Sequence, residues 1–184
     1  MRLNLPNILA SLRVATAPIL FLLLLIDRNN PVFEGIHYSW IDFTAAILFV
    51  IASTTDFFDG YIARAWDQKT VIGGILDPLA DKMLMLAAFL GLMLISRANP
   101  WAVYIILVRE FFITGLRVAA ASEGKEVAAS MSGKVKTVFQ MIAIGFLIMN
   151  WSPLAEILLW FSVALTLYSG FEYVVSYTKG VKKC

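Results

Sequence analysis

A chain of 184 residues that is 60% hydrophobic and only 15% charged, with a mean hydropathy of +0.78, lies outside the range of soluble domains, in which about 25% of residues are charged. Its net charge of +2 is too small to recommend a nucleic-acid partner, and its one cysteine, Cys184, excludes an internal disulfide and a cysteine-based metal site. Linker-like segments and internal repeats are missing, so the expectation is a single all-α integral membrane domain over 1–184, a bundle of about six spans at ~20 residues each.

Apolar runs between turn residues predict helices near 7–27, 42–66, 74–96, 100–121, 132–150 and 154–178. The first carries an apolar run from Val14 to Ile26 without the small-residue cleavage site of a secretory signal, so it is expected to remain as a span. Asn29-Asn30-Pro31 separates it from the second helix, Asn99-Pro100 opens the fourth, and Ser152-Pro153 opens the sixth. Trp40, Trp101 and Trp151 fall near predicted helix ends and read as interfacial anchors. None of the six holds an uncharged run of the ~20 residues that a hydrocarbon core demands, so charges enter the helices themselves.

Basic residues near helix ends favour the cytoplasmic side. With an even number of spans, Arg2, Arg13, Arg64, Lys69, Arg117, Lys125, Lys134, Lys136, Lys179, Lys182 and Lys183 share one side, and Arg28 and Arg97 the other. Both termini and the 64–73 and 118–133 loops are thereby expected in the cytoplasm.

Four aspartates stand where lipid tolerates charge least. They follow the pattern Asp56-x-x-Asp59-Gly60-x-x-Ala63-Arg64, then eight residues, then Gly73-x-x-x-Asp77-x-x-x-Asp81. If the second helix enters the membrane near Asp42, Asp56 lies ~21 Å further along at a rise of 1.5 Å per residue, below the inner surface. Spacings of three and four put each pair on one helical face, and two helices joined by a short turn can bring four carboxylates to one volume. Hard oxygen donors without imidazole or thiolate favour Mg²⁺ or Mn²⁺ over Zn²⁺, and His37 lies toward the other side of the membrane. Ion pairing with Arg64, Lys69 and Lys82 is the alternative, but it leaves negative charge in excess, which two divalent cations would neutralise. Gly60 and Gly73 either open the backbone to a ligand or serve helix packing, and Arg64 either meets a phosphate or snorkels to the interface.

Asp56-Phe-Phe-Asp59-Gly60-Tyr-Ile-Ala63-Arg64 through Gly73, Asp77 and Asp81 resembles the complete signature of the CDP-alcohol phosphatidyltransferase family. That resemblance implies six transmembrane helices, a homodimer and an active site at the cytoplasmic membrane surface. It also implies displacement of CMP from CDP-diacylglycerol by an alcohol, with Mg²⁺ or Mn²⁺, two ions, on Asp56, Asp59, Asp77 and Asp81. The family's last aspartate, here Asp81, takes the proton of the acceptor hydroxyl, with metal contact secondary. Gly60, Ala63, Arg64 and Gly73 are then candidates to contact the CDP-lipid, joined by Asn7 and Arg13 from the N-terminal segment. A helix-capping asparagine and a snorkelling arginine are the plain readings of those last two.

The acceptor alcohol must be read elsewhere. Val108-Arg109-Glu110, Thr114-Gly115-Leu116-Arg117 and Gly133-Lys134-Val-Lys136-Thr137 place four cations on neighbouring helices. These segments, with Leu5-Pro6-Asn7-Ile8 and Ser169-Gly170-Phe171-Glu172-Tyr173, resemble bacterial members of the family whose acceptor is sn-glycerol 3-phosphate. On that resemblance Arg109, Arg117, Lys134 and Lys136 hold the acceptor phosphate, the arginine fork suiting it bidentately, in a bacterial inner membrane. The plainer reading makes the lysines topology markers and pairs Arg109 with Glu110. Glu172 is expected to meet a basic residue of the bundle. Phosphatidylglycerol or inositol phosphate as acceptor stays open, and so, from another class, does divalent-cation transport. The apolar outer halves at Leu20–Ile26 and Ile142–Met149 argue against an ion path.

Overall fold

The computed structural model describes the backbone of residues 5–26, 38–65, 71–122 and 131–181, and within these the side chains of 11–26, 40–55, 82–120, 122 and 131–178. The described residues form six helices: α1 (Leu5–Leu24), α2 (Tyr38–Ala65), α3 (Val71–Leu94), α4 (Pro100–Ser122), α5 (Met131–Ile148) and α6 (Leu154–Val181). They group into two compact units, one of α1, α2, α3 and the Leu147–Asn150 turn, the other of α4, the remainder of α5, and α6.

The six predicted helices are present with shifted ends. α1 starts at Leu5 rather than 7 and takes in Pro6, because the first turn of a helix needs no amide donor from proline. Asn7 therefore lies inside α1 and does not cap it. α2 begins at Tyr38 and α3 at Val71, each a few residues before its long apolar run. α4 starts where the sequence put it: Asn99 Oδ1 accepts from the Trp101 amide at 2.9 Å, and Pro100 takes the first helical position.

Two helix ends share one stop device. At the end of α3, Ser96 adopts φ 57°, its amide bonds the Met93 carbonyl at 3.0 Å, and the Arg97 amide bonds the Leu92 carbonyl at 2.8 Å. At the end of α5, Asn150 adopts φ 56°, and the Asn150 and Trp151 amides bond the Leu147 and Phe146 carbonyls, each at 3.1 Å. Both are Schellman closures, which satisfy carbonyls that the helix leaves open.

In the first unit α1 packs on α2 and α3. Arg13, Thr16, Ala17, Leu20 and Leu24 are buried along one stripe of α1, and Ile41, Ala45, Phe49 and Ala52 along one of α2. α1 and α3 approach closely at Gly91, where a Cβ would stand 2.8 Å from Leu24 Cδ1 and 3.2 Å from its Cβ. In the second unit the buried positions of α6 include Ser162, Thr166 and Ser169, while Leu167, Tyr168 and Phe171 are exposed. Small polar side chains thus pack inward beside Leu159 and Val163, while large apolar ones also cover the outer face, as in helices packed in lipid. Among the described residues, Met131–Ile148 and Leu154–Thr178 are each long and apolar enough to cross a membrane. Shorter apolar stretches occupy Ser11–Leu24, Trp40–Thr55 and Lys82–Leu94.

Candidate active site

The signature motif falls on the first unit. Its first half, residues 56–64, lies within α2, and its second half, 73–81, within α3; the two helices touch. Because both are continuous α-helix, Asp56 and Asp59 share one face of α2 and Asp77 and Asp81 share one face of α3. The side chains of Asp56, Asp59, Gly60, Ala63, Arg64, Gly73, Asp77 and Asp81, like that of Asn7, lie outside the described residues. Carboxylates, without a sulfur or imidazole donor in the motif, are the residue type that suits a hard divalent cation. Arg13 is 2% exposed on the packed stripe of α1, so it does not reach out to an interface.

The basic residues fall on the second unit, and the fold sorts them by depth. Lys136 of α5 is buried and Arg109 of α4 nearly so, whereas Arg117 and Lys134 are exposed. Arg109 and Lys136 meet on one carboxylate: Arg109 Nη1 donates to Glu110 Oε1 at 3.1 Å, and Lys136 Nζ donates to the same oxygen. The second arm of the Arg109 fork, Nη2, donates to Ser169 Oγ of α6 at 2.8 Å. Gly170 makes room for this arginine, since a Cβ there would sit 3.0 Å from Arg109 Nε and 3.3 Å from its Cγ. The α4–α6 contact thus depends on a missing side chain as much as on a hydrogen bond.

A second polar group lies further along the same helices. The Arg117 guanidinium stacks over the Tyr173 ring, 5.4 Å from its centre, a cation–π placement that holds the planar fork in orientation. Glu172, expected to meet a basic residue, instead accepts a hydrogen bond from Ser132 Oγ in the first turn of α5. Gln140 Nε2 donates to Thr166 Oγ1 at 3.0 Å, completing a polar seam between α5 and α6.

Residue types alone did not single out Ser169 and Tyr173 as partners of the basic residues, nor Glu110 as the group that joins two of them. A signal was present: Ser162, Thr166, Ser169 and Tyr173 recur at helical spacing in an otherwise apolar helix, and such a polar stripe has to face the bundle interior.

The model of the CDP-alcohol phosphatidyltransferase family matches residues 3–168. A CDP-diacylglycerol–glycerol-3-phosphate 3-phosphatidyltransferase of Bacillus subtilis (strain 168) is 41% identical over 181 residues, 92% of this chain and 93% of the relative. Enzymes of the same name from Escherichia coli (strain K12) and Rickettsia bellii (strain RML369-C) are each 37% identical, over 95% and 92% of this chain and 94% and 93% of their own. The match runs through both halves of the aspartate motif and through the basic residues of α4 and α5, and the chain belongs to the CDP-alcohol phosphatidyltransferase family.

Proposed function

We propose that this chain transfers the phosphatidyl group of CDP-diacylglycerol to sn-glycerol 3-phosphate, giving phosphatidylglycerol phosphate and CMP. The observation that carries the reading is the likeness to enzymes of that printed activity over more than nine-tenths of the chain. The convergence of Arg109 and Lys136, with Arg117 and Lys134 on the same helices, supports an acceptor that bears its own phosphate.

In this reading an oxygen of the acceptor alcohol attacks the lipid-side phosphorus of the diphosphate. The bond from that phosphorus to the bridging oxygen breaks, and CMP leaves with the electron pair. Asp81 accepts the proton of the attacking hydroxyl. Asp56, Asp59 and Asp77, with Asp81 in a secondary role, would hold two divalent cations, Mg²⁺ or Mn²⁺. Such ions offset diphosphate charge and stabilise the leaving oxygen. Gly60, Ala63, Arg64 and Gly73, with Asn7 and Arg13 from α1, are assigned to the CDP-lipid. Arg109, Arg117, Lys134 and Lys136 are assigned to the acceptor phosphate.

The same proposal makes the chain one six-span domain of a homodimer in a bacterial inner membrane. Both termini and the active site face the cytoplasm, in keeping with the distribution of basic residues. The family match crosses from one compact unit into the other, which favours a single domain.

The test is CMP release from CDP-diacylglycerol with each acceptor supplied alone: glycerol 3-phosphate, glycerol, phosphatidylglycerol and inositol phosphate. Glycerol 3-phosphate is expected to support turnover. Activity confined to any of the other three would overturn the assignment.

A further inference from the structure

Glu110 has no part in the phosphoryl transfer as written, yet two of the four cations assigned to the acceptor end on it. We propose that Glu110 is a positioning residue of the acceptor site, its carboxylate drawing the Arg109 guanidinium and the Lys136 ammonium together across α4 and α5 so that both are set to receive the acceptor phosphate. The inference rests on the reading that the acceptor carries a phosphate.

Three features of the structure carry it. Consecutive residues of a helix do not normally face one another, but Arg109 bends back so that Nη1 reaches Glu110 Oε1 while Nη2 reaches Ser169. The position is therefore held from both sides, and Gly170 leaves space for it. The same carboxylate oxygen takes the Lys136 ammonium from α5, so two cationic heads converge on a single oxygen. That is the arrangement a phosphate oxygen asks of its donors. Finally, exposure follows an order: the Lys136 side chain is 6% exposed, Arg109 12% and Glu110 21%.

Two cations this deep repel one another, and without an anion between them they would part. Glu110 supplies that anion before any substrate arrives. The Arg109 guanidinium has five N–H groups and gives two of them to Glu110 and Ser169, so a phosphate can join it without displacing the carboxylate. The cost of gathering the two charges is met in folding and not during binding, which is preorganisation of the site. Because Glu110 acts through its neighbours, its loss should weaken acceptor capture and leave the lipid substrate's binding alone.

The experiment uses the full chain in lipid or detergent. CMP release is measured with glycerol 3-phosphate and CDP-diacylglycerol varied separately. Glu110→Gln is expected to raise KM for glycerol 3-phosphate about tenfold or more, as loss of a charge-assisted hydrogen bond implies. KM for CDP-diacylglycerol should stay within about twofold, and Glu110→Asp should recover part of the loss. In a Lys136→Met background, adding Glu110→Gln should raise the acceptor KM by clearly less than it does alone, because only Arg109 is then left for the carboxylate to position. Where Glu110→Gln fails to fold, Glu110→Asp, which keeps the charge and shortens its reach, is measured for the same split between the two KM values.

An unchanged acceptor KM in Glu110→Gln, equal losses toward both substrates, or additive effects in the double variant each overturn the positioning role while leaving the function intact. A wild-type chain that turns over as well with phosphate-free glycerol overturns the functional reading, and this inference with it.

Discussion

Arg97 Nη2 donates to Asp42 Oδ2 at 2.8 Å, joining the turn that closes α3 to the first turns of α2, with the two side chains 8% and 11% exposed. Arg97 Nη1 also donates to the Ile148 carbonyl at the end of α5. One arginine thereby neutralises a buried acid and satisfies a helix-end carbonyl. The sequence counted Arg97 among the few basic residues on the outer side; the fold places an acid against it.

Removing one partner of such a pair leaves the other charge buried. Asp42→Ala is therefore expected to cost about 3 kcal/mol, seen as earlier loss of helical signal on heating the detergent-solubilised chain. The Asp42→Ala, Arg97→Met double variant should lose clearly less than the sum of the single variants. Strict additivity would mean that the contact contributes nothing.

The aspartate motif makes a separate prediction, about chemistry and not stability. Asp56→Asn and Asp77→Asn should each lower CMP release on the order of a thousandfold, since removing a metal ligand forfeits several kcal/mol of charge stabilisation. Circular dichroism should show the helices intact. Chelation of divalent ions should silence the wild type and added Mg²⁺ or Mn²⁺ restore it; turnover undiminished in excess chelator would remove the metals from the proposal.

Glycines divide by what surrounds them. Gly91→Ala puts a methyl group 2.8 Å from Leu24 Cδ1 and 3.2 Å from its Cβ, and the second of these cannot swing away. Overpacking of this kind costs about 1–3 kcal/mol. Gly145→Ala meets nothing within 4 Å and should be neutral or stabilising by up to about 1 kcal/mol, since alanine is the better helix former. Thermal stability of the two variants side by side checks the contrast, and equal effects would refute the close approach of α1 and α3.

Much of the helical order was legible because apolar run length and turn residues are local properties. Runs broken by Asn99-Pro100 and Ser152-Pro153 can form only separate helices. Helix ends were less legible: the starts of α2 at Tyr38 and α3 at Val71 precede their apolar runs, and the left-handed stops at Ser96 and Asn150 use residues that carry no glycine signal. The spacing of Asp56, Asp59, Asp77 and Asp81 was legible because a continuous helix turns separation along the chain directly into a shared face.

By itself, then, the sequence determined an apolar helical chain, the faces on which its carboxylates sit and the family to which those carboxylates point. Only the tertiary structure decided that Glu110 joins Arg109 to Lys136, that Ser169 and Gly170 seat the arginine, that Tyr173 underlies Arg117, and that Asp42 answers Arg97. The reason is physical. Helical periodicity fixes neighbours three and four residues apart, but partners separated by 26 to 60 residues are chosen by how helices pack, and in an apolar surrounding each charge must find whatever counter-charge that packing brings within reach.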